Sequence, residues 1–119
     1  MTTALSRESA ERMAAFASSF SALDNVPGTR PFDVEALVEW AEDGSVHPTQ
    51  DASAAAGFLI WLYSRRKPKH FPEYAPSKNV QKWADSFELL FMVHPEVSLD
   101  TRSHFAAWFL FPWFPEAST

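Results

Sequence analysis

The sequence predicts an all-α fold: a compact bundle of about five helices, with the third, at about 50–66, at its centre. Three observations carry this. In Ser77–His94 the apolar residues Val80, Trp83, Ala84, Phe87, Leu90 and Phe91 recur at helical spacing, and Lys78, Gln81, Lys82, Asp85 and Glu88 fill the opposite face. From Ala52 to Tyr63 the chain is apolar almost all round, as a central helix is. Glycine occurs 3 times and proline 9 times, so hairpin turns are scarce and the prolines punctuate helices. At 119 residues the chain has the length of a single domain with one sizeable core.

The first helix is expected from about Ser6 to Leu23, with Ser6 as cap, Glu8 in the first turn and Met13, Phe16, Ala17 and Phe20 facing inward. Asp24-Asn25-Val26-Pro27-Gly28 supplies the turn that ends it. The second is expected from Val34 to about Asp43. Asp33 caps it, Phe32 staples onto Leu37, and Leu37, Val38, Trp40 and Ala41 face inward, with Gly44 after its end. The third starts after Thr49 and ends near Arg66, where Pro68 stops it. Gly57 within it suits close packing.

Residues 67–76, K-P-K-H-F-P-E-Y-A-P, form a stiff proline-rich connector. The fourth helix, 77–94, is capped by Ser77 and stopped before Pro95. Its end, Leu89–Val93, is apolar on every face and is expected to be buried under the C-terminal tail. The fifth begins near Ser98 or Asp100 and runs to about Phe111, and Pro112 and Pro115 break the tail.

Charge is unevenly placed. Residues 64–82 hold six bases against one acid, a local +5; four bases and 14 acids elsewhere leave −10, for a net charge of −5. The six, Arg65, Arg66, Lys67, Lys69, Lys78 and Lys82, lie among the aromatics Tyr63, Phe71, Tyr74 and Trp83. Such a segment tracks a phosphate backbone and stacks on bases, or else it is a solvated loop answering an acidic body. The acidic stripe Glu8, Glu11, Glu35, Glu39, Glu42 and Asp43 reads as a solvated face or as a mimic of phosphate charge.

The tail Phe105–Phe114, F-A-A-W-F-L-F-P-W-F, has no polar side chain apart from the indole nitrogens. Phe105, Trp108 and Phe109 make an inward stripe, whereas Ala106, Leu110 and Phe111 fall on other faces and Trp113 and Phe114 follow a proline. Trp108, Phe111, Trp113 and Phe114 are therefore the candidate partner-binding residues, for another protein or for a second copy of the chain.

Catalytic signatures are absent: there is no nucleophile elbow, phosphate-binding glycine loop or dinucleotide fingerprint. Asp85 and Glu88 share a helix face but read as solvated. With no cysteine, thiolate chemistry and disulfides are excluded. His47, His70, His94 and His104 have no metal-ligand spacing, so neither metal nor cofactor is expected. The charged N-terminus lacks a signal-peptide core, and the longest apolar run, Ala54–Tyr63, is about half of what spans a bilayer. A cytoplasmic protein without membrane contact is the expectation.

Residues 58–114 resemble the helical domains of phage and plasmid replication-initiator (replisome-organiser) proteins. A basic stretch is followed by a Trp-Ala-x-x-Phe-x-x-Leu helix and then by a helix ending near Phe-Trp, here Lys82, Trp83, Ala84, Phe87, Leu90, Trp108, Trp113 and Phe114. Two features depart from the family pattern. His94-Pro95-Glu96-Val97 replaces an acidic turn, and a basic continuation does not follow Phe114. The resemblance implies a DNA-binding replication accessory that acts without catalysis. The acidic body and aromatic tail instead point to a non-enzymatic binding protein of phage or mobile-element origin, such as an inhibitor of a host nucleic-acid machine (an anti-CRISPR, for example).

Overall fold

A computed structural model describes residues 5–43, 49–65, 82 and 94–116. These contain four α-helices, α1 (Arg7–Ser19), α2 (Val34–Glu42), α3 (Gln50–Ser64) and α4 (Leu99–Leu110), a 3₁₀ turn at Ser21–Leu23, and no strand. Thr29 and Phe32 form an isolated antiparallel bridge. The predicted fourth helix, with the expected burial of Leu89–Val93, lies outside the described residues apart from Lys82 and His94, as do Gly44 and the whole connector at 67–76.

Each helix starts where a short polar side chain satisfies an otherwise orphaned amide. Ser6 Oγ accepts from the Ser9 N–H, Asp33 from the amides of Glu35 and Ala36, Thr49 Oγ1 from the Ala52 N–H, and Ser98 Oγ from the Thr101 N–H. The predicted caps Ser6 and Asp33 are thus in place, and Ser98 settles the start of the last helix.

α1 ends at Ser19 rather than at Leu23. Phe20 turns extended, with ψ 115°. The Ser21 N–H then donates to Asp100 Oδ2 at 3.2 Å instead of to a helix carbonyl. A charged acceptor makes the stronger hydrogen bond, so a tertiary contact ends the helix. Phe20 and Leu23 stay buried nevertheless. In the following loop Asn25 takes φ 63°, a left-handed conformation that asparagine tolerates. The Arg30–Pro31 peptide bond is cis.

α3 is the core. Ala52, residues 54–60, Leu62 and Tyr63 are all buried, whereas α1, α2 and α4 each bury two or three residues. α3 packs against α2 and the 3₁₀ turn. The run Ala54-Ala55-Ala56-Gly57 leaves its N-terminal half thin, and all four of these small residues are buried. Phe58, Leu59, Ile60, Leu62 and Tyr63 fill the other half and are fully enclosed. α2 contributes Val34, Leu37 and Val38 to this core, with Trp40 only half-buried.

The tail folds back on the start of the chain. The Ser6 N–H donates to the Glu116 carbonyl at 2.8 Å, and the Glu116 N–H to Ser9 Oγ at 2.7 Å. Leu5 and Pro115 are buried at this junction.

Candidate functional site

α4 carries the chemistry that the described residues bring together, and its two sides differ. The inner side is an aromatic cluster around Phe58. Phe16, Trp61, Phe105 and Trp108 surround that ring at centroid distances of 6.0, 5.8, 5.1 and 5.2 Å. Most contacts are edge-to-face, the arrangement favoured by the ring quadrupole. Trp108 is buried, and its indole N–H donates to the Trp113 carbonyl at 2.8 Å. Trp113 lies edge-on to Phe16 and is covered by the Arg12 guanidinium at 4.1 Å, and Phe114 packs on Trp61 and Trp108. Of the four tail residues singled out from sequence, Trp108 is therefore core, Trp113 and Phe114 are half-buried against it, and Phe111 faces solvent.

The N-terminal end of α4 is pinned by two carboxylates. Asp51, in the first turn of α3, accepts from the Ser98 N–H at 3.0 Å. Burial pushes its carboxyl up, but the Ser98 amide and the hydroxyls of Thr101 and Ser98 outweigh that and hold it below the usual 3.8. Asp100 accepts from both the amide and the hydroxyl of Ser21, at 3.2 and 3.0 Å, and these hold its carboxyl below 3.8 as well, with His104 adding to the effect. His104 Nε2 lies 3.4 Å from Asp100 Oδ1, and its Nδ1 lies 3.5 Å from Ser19 Oγ.

Ser19, His104 and Asp100 thus stand in the order of a hydrolytic triad, but the geometry serves docking. The Ser19 hydroxyl donates to the Phe16 carbonyl at 2.6 Å, so its proton is not directed at the imidazole. The next two amides are also committed: Phe20 N–H to the Ala17 carbonyl and Ser21 N–H to Asp100. An oxyanion needs such donors free. The cluster ties α4 to the end of α1.

The sign of its pH dependence is set by the lowered carboxyl values. A carboxylate whose folded value is depressed adds stability above its unfolded value, and that stability is lost as pH falls through the folded one. The midpoint of urea unfolding is therefore expected to drop as pH falls below about 4. Asp51→Asn/Asp100→Asn should start from a lower midpoint at pH 7 and show a flatter decline. An equally steep decline in the double variant would assign the acid sensitivity elsewhere.

The outer side of α4 is apolar and open. Leu99, Phe109, Leu110 and Phe111 are 61–82% exposed, and they are the large exposed hydrophobic residues among those described. Ser103, Ala106 and Ala107 lie between them, also exposed. The sequence placed Leu110 and Phe111 off the inward stripe but set Phe109 on it. In the structure Phe109 meets the Phe105 ring at 6.2 Å and stays 61% exposed. Leu99 escaped notice because it precedes the aromatic tail; the signal that finds it is its 4-3-4 spacing with Ser103, Ala106 and Leu110.

Other candidates are less developed. Arg65 is exposed at the end of α3, 5.6 Å over the Trp61 ring, and Lys82 is exposed. Arg66, Lys67, Lys69 and Lys78 lie outside the described residues, so the basic segment is not assembled into a described surface. The same holds for His47, His70, Asp85 and Glu88. His94 Nδ1 accepts from the Glu96 N–H, and its carbonyl accepts from Arg102. No group of three metal-ligating side chains occurs among the described residues, and no helix there is long and apolar enough to cross a membrane. A groove of about 440 Å³ runs along Ala10, Glu11, Ala14, Arg30 and Pro31, where Glu11 already pairs with Arg7. Comparison with protein-family models, with curated proteins and with solved structures finds no match to this chain.

Proposed function

We propose that this chain is a non-enzymatic binding protein that acts by protein–protein contact, with the outward side of α4 as its contact face. One observation carries this: Leu99, Phe109, Leu110 and Phe111 stand in water on one helix and its end while the aromatic residues around them are packed inside. Exposing four large apolar side chains together is unfavourable unless something covers them. Leucine and phenylalanine there offer an anchor of high apolar area and low desolvation cost. The exposed acids Glu8 and Glu39 lie on α1 and α2, not on α4, and from there would steer a basic target, as a phage-type inhibitor of a nucleic-acid machine needs.

The test is affinity capture from the native host with the wild-type chain and with Leu110→Glu. Leu110 is exposed, so its replacement is expected to leave the fold intact, checked by an unchanged helical circular dichroism melt. Proteins retained by the wild type are expected to be reduced at least about tenfold with the variant, the loss of one anchor's worth of affinity. Retention of the same proteins at the same level by both would sink the reading.

A further inference from the structure

The geometry points to a second copy of this chain as the occupant of the α4 face, docked antiparallel across a two-fold axis. This rests on the proposed function and names the partner of the same surface. Leu99, Ser103, Ala106 and Leu110 all face outward, at successive spacings of four, three and four residues. That is the a/d spacing of a helix that packs lengthwise on another helix. The order is large, small, small, large, and so reads alike in both directions. A two-fold axis through the midpoint of Ser103 and Ala106 lays Leu99 of one copy against Leu110 of the other. It also sets Ser103 against Ala106. A symmetric dimer needs a self-complementary patch of this kind, because each residue meets its partner's counterpart. The small central residues let the two backbones approach, and the leucines close the ends.

Polarity and area agree. The seam carries no charge. Its one polar group, the Ser103 hydroxyl, already donates to the Asp100 carbonyl at 2.7 Å, so covering it strands no donor. The charged neighbours are engaged within the chain, Asp100 with Ser21 and Arg102 with the His94 carbonyl. A large aromatic side chain offers roughly 200 Å², and a leucine no more than that. Leu99 and Leu110, 82% and 71% exposed, lie on the stripe, while Phe109 and Phe111, 61% and 81% exposed, lie on its two flanks; counted in full, the four offer at most about 600 Å² per copy, or about 1,200 Å² for a pair. That is the lower bound for a stable specific interface, so the dimer is a weak, reversible one.

The chain contains no cysteine, which makes a direct geometric test available. Light scattering across about 5 to 500 µM, the range in which a marginal interface fills, is expected to show the mass rising from monomer toward dimer. Leu110→Glu is expected to hold it at monomer. Independently, Ser103→Cys and Ala106→Cys chains are mixed under mild oxidation, since facing positions meet disulfide geometry. The mixed disulfide is expected to exceed either self-linked product and an exposed Glu39→Cys control by at least about threefold. A mass independent of concentration overturns the inference, whether another protein or residues 66–93 of the same chain cover the face. So does cross-linking at the control level. So does preferential Ser103→Cys self-linkage, which marks a parallel pair. If the wild type stays monomeric while host proteins are captured and then lost with Leu110→Glu, the self-docking falls and the proposed function stands.

Discussion

Phe58→Ala is expected to destabilise the protein by about 3–5 kcal/mol, the range for emptying a buried aromatic site. Phe58 is fully enclosed, and four aromatic rings from α1, α3 and α4 converge on it. Removing the ring takes away its own burial and leaves a cavity walled by stiff side chains. Phe16, Trp61 and Trp108 have further ring contacts of their own, with Phe20, Trp113 and Phe114 among them, so the site collapses poorly. Small domains hold only about 5–15 kcal/mol in total, so the variant should be marginal. Urea unfolding followed by tryptophan fluorescence reads the effect. Phe109→Ala is the control: Phe109 is exposed and is expected to cost less than about 1 kcal/mol. Similar losses in both variants would mean that the aromatic cluster is not organised around Phe58.

Gly28→Ala is the second large effect. Gly28 has φ +87°, in the left-handed region where any side chain is strained. An added Cβ would lie 2.6 Å from the Asp33 carbonyl oxygen and 2.7 Å from the Leu37 nitrogen. Both are backbone atoms, so no rotamer relieves the clash. The loop and α2 would have to separate. The Asp33 N–H donates to the Gly28 carbonyl at 2.8 Å, and the Leu37 N–H to the Asp33 carbonyl at 3.1 Å, so separation strains the first hydrogen bonds of α2. The backbone conformation alone costs roughly 1–3 kcal/mol, and the clash adds to it. A lower urea midpoint is expected, together with reduced burial of Leu37 and Val38 read as faster amide exchange in α2. A variant as stable as the wild type would show that this loop shifts freely.

Some of this fold was legible because its causes are local. A cap acts over three residues, so Ser6, Asp33 and Thr49 announced their helices without knowledge of the rest of the chain. The central place of α3 was equally legible, since a helix apolar on all faces from Ala52 to Tyr63 has no side to show water. Where α1 ends was not legible, because the competing acceptor for the Ser21 amide, Asp100, lies 79 residues away.

The candidate face shows the same division. The amino-acid pattern by itself determined that residues 105–114 hold more apolar surface than one helix stripe can bury. Only the tertiary structure decided which residues are left over. Trp108, the residue best suited as an anchor by type, went inside because Phe58, Trp61 and the Trp113 carbonyl surround it. Trp113 and Phe114 were drawn against the core by a tail that pairs with Ser6 and Ser9. Leu99, Leu110 and Phe111 stayed outside. Helical spacing states which side chains share a side of a helix. Which side meets a neighbour depends on where the other elements come to rest, and here α1 and α3 came to rest on the side of Phe105 and Trp108.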